Sequence, residues 1–135
     1  KTDSLENEVL NYLFFGVAPS WIAESNLFLS LHTADPTDAG AQNSSETVYT
    51  GYSRVTISRS TTALTNSATG CVDNVTVVSF PACTAGTALI THVGLGLSFS
   101  GTGVLKYSAS LVSPLAVGAG ITPSFDTSTL TFTEG

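Results

Sequence analysis

Charged side chains are scarce in this chain. They make up 10% of its 135 residues, against roughly 25% in ordinary globular domains. Bases are the scarcer sign: four Lys and Arg stand against ten Asp and Glu, for a net charge of −6. Lys1, Arg54, Arg59 and Lys106 form no cluster dense enough to follow a phosphate backbone, which excludes nucleic acid as the expected partner. The same balance disfavours an anionic membrane surface. Methionine is absent and cysteine occurs twice. No apolar run reaches the ~20 residues of a membrane helix. The apolar "YLFFGV" follows acids rather than a basic segment, so it is not expected to be a signal peptide.

Two cysteines make no disulfide framework, and Cys71 and Cys83 have neither CxxC spacing nor a neighbouring histidine for zinc. A bridge between them is one reading and two buried thiols the other. The space left by charge is filled by Ser, Thr, Ala and Gly. A surface of this kind loses little hydration when a neighbour covers it.

Period-two alternation dominates the pattern. "NLFLSLHT" sets Leu27, Leu29 and Leu31 on one face, with Phe28, Ser30 and His32 on the other. "TVYTGYSRVTISRS", "NVTVVSF", "TALITHVGLGLSF", "GVLKYSASL", "ITPSF" and "STLTFTE" follow, separated by Gly, Pro, Asn and Asp. The expected fold is therefore mainly β: an antiparallel β-sandwich or jelly-roll-like barrel spanning 17–135. One short N-terminal α-helix precedes it within residues 1–16, an amphipathic arm with Leu5, Val9, Tyr12 and Leu13 on one face. Asp3 or Ser4 is expected to cap this helix and Gly16 to end it. Trp21 and Ile22 are expected to fill a hydrophobic gap after it. Residues 33–47, "TADPTDAGAQNSSET", are the longest polar stretch, and loops of that length are commonly functional or mobile.

Catalytic chemistry finds little support. "LHTADP" places His32 three residues before Asp35, and serines are plentiful, but no GxSxG elbow presents a nucleophile. Asp35 before Pro36 equally reads as a strand end and turn. His32 and His92 together supply at most two metal ligands. The glycines of "GLGLSFSGTG" lack the GK[ST] of a phosphate loop and fit a hairpin in which Gly101 supplies a positive φ. Nothing pairs Asp73 with Asp126 as glycosidase carboxylates. No catalytic residue, cofactor or metal ligand is expected. The side chains best suited to contact a partner are Leu5, Val9 and Tyr12 on the helix, Asp35 and Asp38 in the long loop, and Tyr49, Tyr52 and Arg54 in "YTGYSR".

Taken in order, "LFLSLHTADPTDAGAQ", "YTGYSRVTISRS", "VSFPACTAGTALITHVGLG", "GVLKYSASLVSPLAVGAGITPSF" and "LTFTE" resemble a family of small virion proteins of tailed bacteriophages. Its members are labelled tail-fibre-like or head decoration (cement) proteins. The resemblance runs from about residue 5 to 134; "STTALTNSATG" departs from it in lacking a tryptophan. It implies a virion structural protein with no catalytic residues to carry over. The first expectation from it is a capsid decoration protein that clamps the major capsid protein as a homo-oligomer, a trimer, on the capsid surface. The alternative is a tail-fibre or tail-tip module that binds a host receptor or glycan. Deleting residues 1–16 is expected to loosen attachment and leave the β domain folded.

Overall fold

The computed structural model describes residues 1–134; Gly135, the last residue of the expected β segment, lies outside them. One helix, α1 (Asp3–Phe15), precedes nine strands: β1 (Asn26–His32), β2 (Val55–Ser58), β3 (Leu64–Ala68), β4 (Cys71–Asn74), β5 (Val78–Ser79), β6 (Ala88–Gly96), β7 (Leu105–Val117), β8 (Ser124–Phe125) and β9 (Thr131–Thr133). The chain is mainly β with one N-terminal helix, as the alternation indicates, and its strand pairings are antiparallel. The sheets stay open: a four-stranded sheet in the order β2-β1-β6-β7, a three-stranded one in the order β3-β4-β9, and the pair β5-β8. They do not close into a barrel.

Side chains from all three sheets meet in one core, a sandwich-like arrangement. Leu29, Leu31, Ile57, Ile90, Leu95 and Val117 of the large sheet pack with Val78, Phe80 and Leu130, and Leu64, Phe125 and Phe132 close the margin. The Leu27-Leu29-Leu31 face of β1 thus turns inward, as its period requires. On the opposite face, Ser30 and His32 are also fully buried. Its cover is the polar loop between β1 and β2.

The β3–β4 hairpin turns at Gly70, whose φ of 73° lies in the left-handed region. Asn74, at the end of β4, ties this hairpin to the C-terminal segment. Its amide donates to the Thr76 and Asp126 carbonyls at 2.8 Å each, and its Oδ1 accepts from the Thr129 and Leu130 amides. β7 is an outer strand of the large sheet, and it carries Pro114 among exposed residues. Proline is tolerated there because an outer edge requires no partner for the missing N–H.

The helix occupies Asp3–Phe15, but its N-cap is neither Asp3 nor Ser4. Thr2 is the N-cap, yet its hydroxyl does not cap α1; it donates to the Leu105 carbonyl at 2.7 Å. Gly16 ends the helix with φ 68°, and its amide bonds back to the Tyr12 carbonyl. Leu5 is the helix's buried residue, and α1 leans on β7 through its first turns.

Candidate functional site

The segment 33–47 is folded back on β1 and fixed at three points. At its start, Asp35 Oδ1 accepts the Thr37 amide at 2.8 Å, the Asx geometry that an Asp-Pro step favours. At its middle, Gln42 is fully buried. Its Nε2 donates to the Phe28 carbonyl at 2.9 Å, and its Oε1 accepts the Ser98 amide at 3.1 Å. The side chain therefore bridges β1 to the β6–β7 turn. Gly96 makes this possible, since a Cβ there would collide with the Gln42 carboxamide.

At its end, Glu46 receives Arg54 in a two-pronged ion pair. Arg54 Nε and Nη2 lie 2.7 Å from Oε1 and Oε2, and the Tyr52 hydroxyl donates to Oε1 at 2.7 Å. The remaining guanidinium donors reach the carbonyls of Ser98 and Gly101. Tyr52 Oη in turn accepts the Leu31 amide at 3.1 Å. Burial, then the Glu46 carboxylate, holds the Tyr52 phenol well above its ordinary range. A buried charge pair is tolerable only when its polar atoms have partners, and here each guanidinium nitrogen and both carboxylate oxygens have one.

His32 sits beside this knot with none of its surface exposed. Burial pushes its imidazole below the ordinary value, which keeps it neutral at physiological pH. Nδ1–H then donates to the Ser44 carbonyl at 2.7 Å, and Nε2 is the acceptor for the Ser30 hydroxyl at 2.8 Å. A Ser–His contact of this length has the spacing of a nucleophile and its base. Both residues are sealed between β1, β6 and the loop, however, and Nδ1 faces a backbone carbonyl rather than an orienting carboxylate. Asp35, the sequence partner of His32, is engaged with Thr37. His92 pairs across the sheet with His32. Among the described residues no group of three or more His, Cys, Asp or Glu is arranged to hold a metal ion. Cys71 and Cys83 are both free thiols, and Cys83 is buried.

The contact residues expected from the sequence divide into two sets. Leu5, Tyr49 and Arg54 are buried, and the Tyr52 hydroxyl is directed inward at Glu46, so these four side chains are engaged within the chain itself. Tyr49 packs edge-on against Tyr52 and donates to the Pro81 carbonyl. Val9, Tyr12, Asp35 and Asp38 remain open to solvent. Leu10, Leu13, Phe14, Phe15 and Val17 are exposed beside them.

Beside the buried half of α1 lies a cavity of about 410 Å³ walled by Leu5, Leu27, Leu95 and Leu97 and bordered by Trp21, Arg59, Tyr107 and Glu134. Its size is that of a small-ligand pocket. The Arg59 guanidinium stands 5.8 Å from the centre of the Trp21 ring, and Trp21 Nε1 is buried with no hydrogen-bond partner among the described residues. Trp21 thus fills part of the gap expected of it, while Ile22 is exposed.

A protein-family model described as podophage GP4 fiber I protein gp80 matches residues 1–133. No curated protein matches the chain.

Proposed function

The chain belongs to the podophage GP4 fiber I protein gp80 family, a family of bacteriophage virion proteins, and from that membership we propose that it is a structural subunit of a tail fibre. The match over residues 1–133 carries this reading. It supports the fibre alternative over the capsid decoration role that the sequence resemblance placed first. The subunit works through the faces it offers, without turning over a substrate. The knot around Glu46 and Arg54 is compatible with this, because it commits polar groups to holding a loop still.

Within the same reading, the host-facing contact is a receptor or glycan. The cavity beneath α1 supports this, since it combines apolar walls with the Trp21 ring and the polar groups of Arg59, Tyr107 and Glu134.

The test of place is copy number and position. Antibody-gold labelling of intact virions and quantitative mass spectrometry against the major capsid protein are expected to find few copies, at the tail. Hundreds of copies spread over the head would overturn the fibre reading and restore decoration of the major capsid protein. For the cavity, a glycan array probed with the wild-type chain and with Trp21→Ala is expected to show binding that the variant loses.

A further inference from the structure

The two halves of α1 have opposite fates. The first half is held firmly: Leu5 is buried, Thr2 bonds to Leu105, and Lys106 Nζ reaches Ser4 Oγ at 3.0 Å and Glu8 Oε2 at 2.7 Å. The second half projects from this base with nothing over it. Leu13 is 71% exposed, Phe14 69% and Phe15 76%, and Val9, Leu10, Tyr12 and Val17 are open as well. Four consecutive helical positions, 12 to 15, point to every side of the axis, so this end is apolar all round. A helix with that pattern is normally enclosed.

We propose that a second copy of this chain covers the C-terminal half of α1, forming a helix-to-helix contact that holds copies together. Area supports this occupant. Aromatic side chains of this size present roughly 150–250 Å² each when whole, and the exposed fractions amount to on the order of 800 Å². That exceeds the ~300–600 Å² of the largest patch on an ordinary monomer. It equals the ~800 Å² that each partner brings to a standard interface. A second copy brings an apolar face of the same size and character, so the two surfaces match in area.

Charge does not oppose it at this face. Every copy carries −6, so identical chains repel wherever acids face each other. From Val9 to Ala23 the sequence "VLNYLFFGVAPSWIA" contains no charged residue. This is the part of the helix that projects. Anchoring of the first half also means that the projecting half enters the contact already helical, with little ordering entropy left to lose. Closed rotational symmetry follows for a contact made by the same element on each copy. The inference stands on α1 alone and is independent of where in the virion the chain sits.

The experiment is sedimentation equilibrium of the purified full chain over a wide concentration range. The wild-type chain is expected to associate. Leu13→Glu with Phe15→Glu is expected to sediment as a monomer with unchanged circular dichroism and melting temperature. Val112→Glu, on the exposed part of β7, is expected to stay associated. A wild-type chain that is monomeric throughout, or a double variant that retains the associated mass, overturns the proposal. A monomer that partitions onto neutral lipid vesicles would overturn it in favour of a membrane partner. Should the double variant fail to fold, Phe15→Ala decides: association weakened tenfold or more supports the contact, and unchanged association overturns it.

Discussion

Glu46 and Arg54 meet through two parallel hydrogen bonds of 2.7 Å, with the arginine side chain 2% exposed and the glutamate 13%. The pair joins the end of the long loop to the segment leading into β2, and through Ser98 and Gly101 to the β6–β7 turn. Truncating one partner leaves a buried charge without its counterion. Glu46→Ala is expected to cost about 3–5 kcal/mol, read as a shift in the urea midpoint. The double change Glu46→Leu with Arg54→Met is expected to cost less than the two single truncations added together. Strict additivity would show that the two charges do not act as a unit.

Gln42 is the clamp at the middle of the same loop. Gln42→Ala leaves the Phe28 carbonyl and the Ser98 amide without partners, at about 1–3 kcal/mol. Hydrogen exchange is expected to accelerate across residues 37–47 more than in β6. Gly96→Ala should reproduce the effect from the other side, because the added methyl occupies the place of the carboxamide. Equal protection of the loop in wild type and Gln42→Ala would remove the clamp from the account.

His32 gives stability a pH dependence of definite sign. Burial keeps the folded imidazole neutral below its ordinary value of 6.5, so between the two values the unfolded chain binds more protons than the folded one. The His32 contribution is complete above pH 6.5 and is lost as pH falls through the lower, folded value. The midpoint of chemical unfolding is expected to decline in that window, and His32→Gln to decline less steeply. Glu8 and Glu134 titrate below their ordinary value of 4.5 and act in a separate, more acidic window. In Glu8, burial opposes the shift, and the bonds from Lys106 and Ser20 overcome it; in Glu134, the Tyr107 hydroxyl leads. Parallel slopes for wild type and His32→Gln would assign the dependence to other groups.

The Lys106–Glu8 pair determines how separable the helix is. The lysine side chain is 4% exposed, and both of its side-chain partners, Ser4 and Glu8, lie on α1. Glu8→Ala is expected to cost about 1–3 kcal/mol. Deleting residues 1–16 is expected to cost more, since it also exposes the surface under Leu5. Calorimetry of the truncated chain would test this; an unchanged melting temperature would show residues 1–16 to be a detachable arm.

Much of the fold was legible in residue order. Leu27, Leu29 and Leu31 fixed the inward face of β1, Asp35 and Pro36 marked the turn after it, and Gly16 marked the end of α1. The β3–β4 hairpin was not legible, because "LTNSATGCVDN" lies at a sheet margin where only Leu64, Cys71, Val72, Asp73 and Asn74 are even partly buried, and no alternation survives. On α1, Val9 and Tyr12 stay open as a contact face requires, but the exposure of Phe14 and Phe15 was not legible, for a related reason. Periodicity identifies an inner face by contrast with a polar outer one, and residues 12–15 offer no contrast. Arg54 suits a contact surface when exposed and packing when not, and its own run does not decide between the two. Its partner lies eight positions away across a turn, which no helical or strand period connects.

Pro114 has a consequence for how copies of this chain can meet. An outer strand whose outward-facing donors are free invites further strands to add, and among identical copies that growth has no natural end. With one donor missing from β7, strand-by-strand polymerisation is interrupted there. Association is left to side-chain surfaces, whose geometry limits how many neighbours each copy can take.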